Sequence, residues 1–337
     1  MDGRSPWYLA YRRLRHNRVA LGFGALLAAI VVFVVAAPLW ADHVAGTGPN
    51  ATHTTERVEV DGEPREVVNR EGEPVGPLWL GAGGKFFLGA DGRLGRDEMV
   101  RLMYGGRTSL FIGVVAASIT VLLATILGLL AGYYGGRIDG LIARALDVVW
   151  AFPVTLLGAA LGLALATGGL GIGPLQISGE SLWIPILIIG VVYTPYVTRP
   201  LRGQVLALRE KEFVEAAVSQ GSGPLRVMFG ELLPNLLSTI IVFFAISVAN
   251  TMLLESMLSF LGVGVQPPNT SWGTMIADGF ELITSAPLLT VIPGAMLLLT
   301  VLSVNVFADG LRDALDPRAK LRLEAHAGKA EPEGTAI

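Results

Sequence analysis

"SLFIGVVAASITVLLATILGLLAGY", Ser109 to Tyr133, runs without a single charged side chain. A helix needs about 20 apolar residues to cross the hydrocarbon core of a bilayer, and this stretch supplies them. Five further runs read the same way: Val19–Trp40, Leu141–Thr167, Leu182–Val197, Leu233–Leu254 and Pro287–Phe307. Leu182–Val197 is the shortest. The whole chain of 337 residues is 52% hydrophobic and 16% charged, where a soluble domain carries about 25% charge. The expected fold is therefore an all-α polytopic membrane protein with six transmembrane helices. A net charge of -3 gives no reason to expect a nucleic-acid partner, and the absence of cysteine excludes disulfides and thiolate chemistry.

The first run follows "YRRLRHNR" (Tyr11–Arg18), as a secretory signal would. It is too long for a signal's apolar core and continues into "APLWADH" (Ala37–His43), so it reads as an uncleaved first helix, with a cleaved signal as the alternative. Loop charge sets the expected orientation. Arg12, Arg13, Arg15 and Arg18 precede the first run, and Arg137 and Arg144 follow the second. Arg199, Arg202, Arg209, Lys211 and Arg226 follow the fourth, and Arg312, Arg318, Lys320 and Arg322 follow the last. The loops Gly168–Ser181 and Gly262–Ala286 hold neither Lys nor Arg. Both termini are then expected in the cytoplasm. The layout is a cytoplasmic segment 1–18, a first helix 19–40, an extracytoplasmic loop 41–108, a five-helix core 109–307 and a cytoplasmic tail 308–337.

The outer loop contains "VEVDGEPREVV" (Val58–Val68), whose alternation around Asp61-Gly62 predicts a small β-hairpin. Asn50-Ala51-Thr52 fits a glycosylation acceptor, relevant only in a eukaryotic secretory pathway. His43 and His53 read as ordinary loop residues rather than metal ligands.

Residues 199–232 do not belong in lipid. They carry Arg199, Arg202, Arg209, Glu210, Lys211, Glu212, Glu215, Arg226 and Glu231, and burying those charges at a bilayer centre would cost roughly 20–30 kcal/mol. The pattern predicts two helices. One continues the fourth span over about 201–219 and stops at Gly221 and Gly223. The next starts at Pro224, where a missing N–H costs nothing. It places Leu225, Met228, Phe229 and Leu232 on one apolar stripe, over a length too short to be stable alone in water. Either the membrane surface and the bundle's own ends cover that stripe, or a groove on a partner does.

"EAAVSQGSGPLRVMFGELLP" (Glu215–Pro234) resembles the EAA loop of ABC importer permeases. In that family the loop is a coupling helix that docks on the ATP-hydrolysing subunit. The resemblance implies an interface made by Glu215, Ala216, Ala217, Gly221, Ser222, Gly223, Leu225, Arg226, Met228, Phe229, Leu233 and Pro234. Glu231 departs from the family, whose peptide branch usually has His there. Further stretches follow the family's order: "YRRLRHNRVAL" (Tyr11–Leu21), "FLGADGRLGRD" (Phe87–Asp97, with Ala90 where Thr is usual), "YGGRTSL" (Tyr104–Leu110) and "AGYYGGRID" (Ala131–Asp139). "LESMLSFLGVGVQPPNTSWG" (Leu254–Gly273) and "DGLRDALDPR" (Asp309–Arg318) complete the set. Similarity runs from Tyr11 to about Arg322, and residues from about 46 to 85 look like an insertion. The chain is similar to the C-type permease subunit of dipeptide, oligopeptide and nickel importers.

That resemblance implies a heterodimer with a second permease, two cytoplasmic ABC ATPase subunits, an extracytoplasmic substrate-binding protein and a prokaryotic inner membrane. It implies no cofactor in this chain, with ATP and Mg²⁺ on the ATPase subunits. Peptide, nickel and opine systems share these motifs, so the substrate stays open.

No Walker A motif is present. "GAGGKF" (Gly81–Phe86) lacks the first glycine at the required spacing and has Phe86 where Ser or Thr would hold Mg²⁺. Four scattered histidines assemble no nucleophile and base, so the chain is not expected to be an enzyme. Gly128, Gly132 and Gly136, and Gly158 with Gly162, recur at the spacing that lets helices approach closely. Pro153, Pro185, Pro195 and Pro293 can kink helices. Arg144 and Asp147 are spaced to pair at i, i+3, and Glu255 reads as a structural anchor. Trp272 suits either the membrane interface or a contact with a substrate-delivering protein. The rival readings are an ion-gradient-driven secondary transporter and a non-transporting membrane scaffold.

Overall fold

The computed structural model describes residues 11–315 except 61, 80–82, 173 and 174. Parts of several expectations fall outside them: the first ten residues, Asp61 of the hairpin turn, Gly81 and Ala82, and the tail from 316 onward with Arg318, Lys320 and Arg322. Among the described residues four helices are individually long and apolar enough to cross a membrane: α1 (Arg18–Val35), α2 (Glu98–Tyr134), α8 (Pro224–Phe260) and α10 (Leu288–Leu315). Two bent pairs bring the number to six if each pair is one crossing. They are α3 (Gly136–Trp150) with α4 (Val154–Gly168), and α5 (Trp183–Val192) with α6 (Thr194–Arg209). The short helices α7 (Glu212–Ser219) and α9 (Trp272–Phe280) lie at opposite ends of the bundle.

Helix α2 is the axis of the bundle. Asp97 starts it by accepting from the N–H of Val100 at 3.0 Å, an N-cap that satisfies one orphan donor. Its partner α6 runs parallel, with Val121 and Ala124 packed on Val197 and Leu201. At Gly132 a Cβ would lie 2.6 Å from the Val205 side chain, so only glycine permits this approach. On the other side α8 runs antiparallel, and Thr251 donates to the carbonyl of Gly113 at 2.8 Å. Helix α10 closes the bundle against α1. The 41–97 segment sits at one end, with strands Arg57–Val60 and Glu63–Glu66 paired antiparallel over a small core of Val58, Val67, Val75 and Phe86.

Three expected elements differ. The apolar run Leu141–Thr167 is not one straight helix but bends by 80° across Ala151–Pro153. Pro153 lacks the N–H of the next helical bond and forces Phe152 out of helical geometry. The helix expected over 201–219 breaks at Glu210 and Lys211. This turns Val214 back onto Leu129, Val205 and Leu236. The predicted short helix after Pro224 is instead continuous with the fifth span. Widened π-type turns over Val227–Leu232 accommodate Pro234, which would clash with the preceding turn of a regular α-helix. Its stability therefore comes from α8, not from an isolated turn.

Candidate functional site

The loop 215–234 is held out from the bundle end opposite the 41–97 segment. Helix α7 carries Glu215 and Ala216 on its exposed face, while Ala217 packs partly against the bundle. The helix ends at Gly221, whose φ of 83° is left-handed. Ser222 N–H then reaches back to the carbonyl of Ala217 at 3.0 Å and Gly221 N–H to that of Val218 at 2.9 Å, closing two orphan carbonyls. A Cβ on Gly221 would meet no atom within 4 Å. The demand for glycine there is conformational, not steric crowding. Gly223 is extended, and Pro224 begins the next turn.

The predicted stripe does not share one face. Met228 and Leu232 are buried with Val227 among Val205, Val214 and Leu236. Leu225 and Phe229 project outward, 66% and 56% exposed. The widened turns rotate the positions away from α-helical spacing, which is why the i, i+3, i+4, i+7 count misassigned them. Arg226, Gly223 and Pro234 are also exposed, and Ser222 and Leu233 are half-buried. Phe213 and Val218 on α7 are exposed apolar residues that sequence reading missed. The result is an apolar surface at one end of the bundle, with Glu215 and Arg226 among its exposed charges.

A second polar feature was only half legible. Asp147 does not pair with Arg144; it binds Arg199 of α6 at 2.6 Å. That guanidinium lies 3.8 Å from the ring centroid of Trp150. Tyr196 meets Trp150 edge-on at 4.9 Å, and Tyr193 stacks on Tyr196 at 4.7 Å. Farther along, Asp139 accepts from both Nε and Nη2 of Arg202.

The remaining singled-out residues are structural. Trp272 is fully buried and donates its indole N–H to the Leu102 carbonyl at 2.9 Å, so it anchors neither an interface nor a delivering protein. Glu255 is fully buried and accepts from Ser109 at 3.0 Å and Ser259 at 2.7 Å, tying α8 to α2. Lys85 of "GAGGKF" binds Glu56 at 2.7 Å, and His53 binds the same carboxylate. Burial works to raise the Glu56 pKa. The hydrogen bond and charge of Lys85, with help from His53, overcome that and hold the group below its ordinary value. Asp97 is pushed up by burial, against the backbone N–H groups of Val100 and Phe86 that favour its charged form. Gly158 faces Leu258 and Gly162 faces Val263, the close packing their spacing predicts, whereas Gly136 faces open space.

A bundle built on a central helix, with four to six helices long and apolar enough to cross a membrane, defines a polytopic membrane protein. Residues 124–321 match the family described as the binding-protein-dependent transport system inner membrane component. Residues 5–53 match the N-terminal TM domain of oligopeptide transport permease C. The dipeptide transport system permease protein DppC of Alkalihalophilus pseudofirmus is 35% identical, over 94% of this chain and 91% of its own. The oligopeptide transport system permease protein OppC of Haemophilus influenzae is 33% identical, over 94% and 90%. The glutathione transport system permease protein GsiD of Pectobacterium atrosepticum is 32% identical, over 94% and 93%. A solved chain of the MetNI methionine ABC transporter, in an inward-facing conformation, superposes with a TM-score of 0.52 at 16% identity. It matches 65% of this chain and 97% of that one, a likeness of fold. The chain belongs to the binding-protein-dependent transport system inner membrane component family. It is the permease component of a binding-protein-dependent ABC importer.

Proposed function

We propose that this permease forms one half of a path for peptides across a prokaryotic inner membrane, coupled to ATP hydrolysis through residues 215–234. The peptide assignment rests on the names of its relatives, whose substrates are dipeptides, oligopeptides and glutathione. Nickel is the weaker substrate reading, because none of these relatives is named for it. The Arg-rich segment before α1 and the basic residues Arg209, Lys211 and Arg226 at and beyond the end of α6 favour cytoplasmic termini and a cytoplasmic 215–234 loop. Its partners are a second permease, two ABC ATPase subunits that bind ATP and Mg²⁺, and an extracytoplasmic substrate-binding protein. The chain itself is not the ATPase.

One observation carries the coupling reading. Leu225 and Phe229 are left open on a turn whose other side, Val227, Met228 and Leu232, is locked into the bundle. An apolar pair held rigidly away from its own core suits insertion into a groove on another protein. Movement of the docked ATPase would then be transmitted directly into α8, because no flexible joint separates Phe229 from that span. Gly221 permits the reversal that presents the surface. The test is to purify the chain from gently solubilised native membranes and identify its partners by mass spectrometry. Recovery of ATPase subunits and a second permease supports this reading, and recovery of the chain alone, in a detergent that preserves a known importer, contradicts it.

A further inference from the structure

The ion pair between Asp147 and Arg199 is placed where a membrane protein does not leave exposed charge. The apolar run Ser109–Tyr133 of α2 has its middle at Val121, and Val121 and Ala124 pack against Val197 and Leu201. Farther along the same contact a Cβ on Gly128 would meet Leu201, and Thr120 donates to the Gly190 carbonyl, so Thr194 lies level with the middle of the apolar run. Arg199, expected beyond the fourth span, lies about 7 Å from that level at 1.5 Å per residue, inside a hydrocarbon core about 30 Å thick. Yet Asp147 is 64% and Arg199 41% exposed on this chain. Acyl chains do not accept such a pair, and charged groups within spans face a bundle interior or a water-filled cavity.

An independent feature stands at the same depth. The 80° break between α3 and α4 falls at Ala151–Pro153, next to the Trp150 that touches Tyr196. All three break residues are exposed. Pro153 offers no side chain to cap the first turn of α4. Irregular backbone at membrane depth is tolerated where protein buries it or water reaches it, and broken helices near the midplane mark solute sites.

We propose that Asp147, Trp150, Tyr196 and Arg199 line the translocation path, and that the Asp147–Arg199 pair is a gate opened by a zwitterionic solute. A free amino terminus can replace Arg199 beside Asp147 and over the Trp150 and Tyr196 rings. A free carboxylate can take the guanidinium that Asp147 gives up. The solute thus exchanges one satisfied set of charges for another, and a singly charged or apolar solute cannot. The solute class rests on the peptide reading above; the position of the path does not.

The test uses the full complex, with second permease, ATPase subunits and binding protein, in membrane vesicles. The chain has no cysteine, so Ala151→Cys and Phe152→Cys each supply one reporter thiol here. Leu122→Cys, 61% exposed near the same depth on α2, supplies the lipid-facing control. A charged, water-soluble methanethiosulfonate reagent should modify a break cysteine at least ~10-fold faster than the control, because only a hydrated thiol ionises and reacts. Equal rates for both break positions and the control overturn the path. In the same vesicles Arg199→Gln should lower alanylalanine uptake about tenfold, the loss of one charge-assisted contact, while the loaded binding protein still stimulates ATP hydrolysis. Unchanged uptake overturns the gate. If the parent complex moves no alanylalanine, the peptide reading has failed instead, and the labelling contrast still decides the path.

Discussion

Charge is treated in opposite ways at two places in this bundle. At the end carrying the 41–97 segment, Arg101 is buried and spans two elements, binding Asp91 at 2.8 Å and Asp278 at 2.9 Å. Arg96 joins the same carboxylates, and Arg93 binds Glu281 beside them. These bonds fasten the outer segment to α9. On the α3–α6 face, Asp147 and Arg199 form a pair that solvent or a partner can still reach. Buried, multiply satisfied charge resists rearrangement, because removing one partner strands the other. A half-exposed pair can open at small cost. One end is built to stay closed and the other face to change partners.

The strongest way to break that contrast is to empty the closed end. Arg101→Met leaves the buried Asp91 and Glu98 and the half-buried Asp278 without their central cation, and should destabilise the protein by about 3–5 kcal/mol. Thermal unfolding in detergent would read this as a large fall in Tm, whereas Arg199→Gln should leave Tm nearly unchanged. Packing comes next. Gly132→Leu drives a side chain into Val205 and should cost about 1–3 kcal/mol, measured by the same melt. The loop offers a milder contrast. Gly221→Leu forces a left-handed backbone worth roughly 1–2 kcal/mol onto a branched residue. The protein should stay in the membrane and lose substrate-stimulated ATP hydrolysis. Unchanged stimulation would remove the loop from coupling.

The smallest effect concerns pH. Glu56 has a folded-state pKa below its ordinary 4.5, so its link to Lys85 and His53 is intact above that value. The stabilisation disappears as pH falls through the lower folded value. Hydrogen exchange around residues 53–57 and 85–88 should accelerate below about pH 4.5, while the amides of α2 stay protected.

How much of this was legible in the sequence depended on the physics involved. Apolar runs long enough to cross a bilayer stand out because composition alone decides them. Ser109–Tyr133 lies wholly within one helix, and the family motifs pointed to the transport class before any packing was known. Positions governed by tertiary packing were not legible. The spacing of Leu225, Met228, Phe229 and Leu232 predicted one stripe, but widened turns around Pro234 divided it between core and surface. Asp147 was assigned the neighbour that sequence distance allowed, Arg144, while the packing of α3 along α6, which also joins Asp139 to Arg202, brought Arg199 to it from another helix. Trp272 looked like a surface aromatic and is a core residue, because its indole N–H finds the Leu102 carbonyl. Only the bend itself had a local signal, the proline.

The most direct test of the central claim compares two adjacent residues of the loop, Met228 facing the bundle and Phe229 facing away. Purify the complex carrying Phe229→Asp and quantify its ATPase subunits against the second permease. The account predicts a permease pair that is folded and membrane-inserted, with ATPase recovery reduced about tenfold or more, as befits loss of a central apolar anchor. Met228→Asp should instead cost folded permease itself. Full ATPase recovery with Phe229→Asp would contradict the assignment of this surface to coupling.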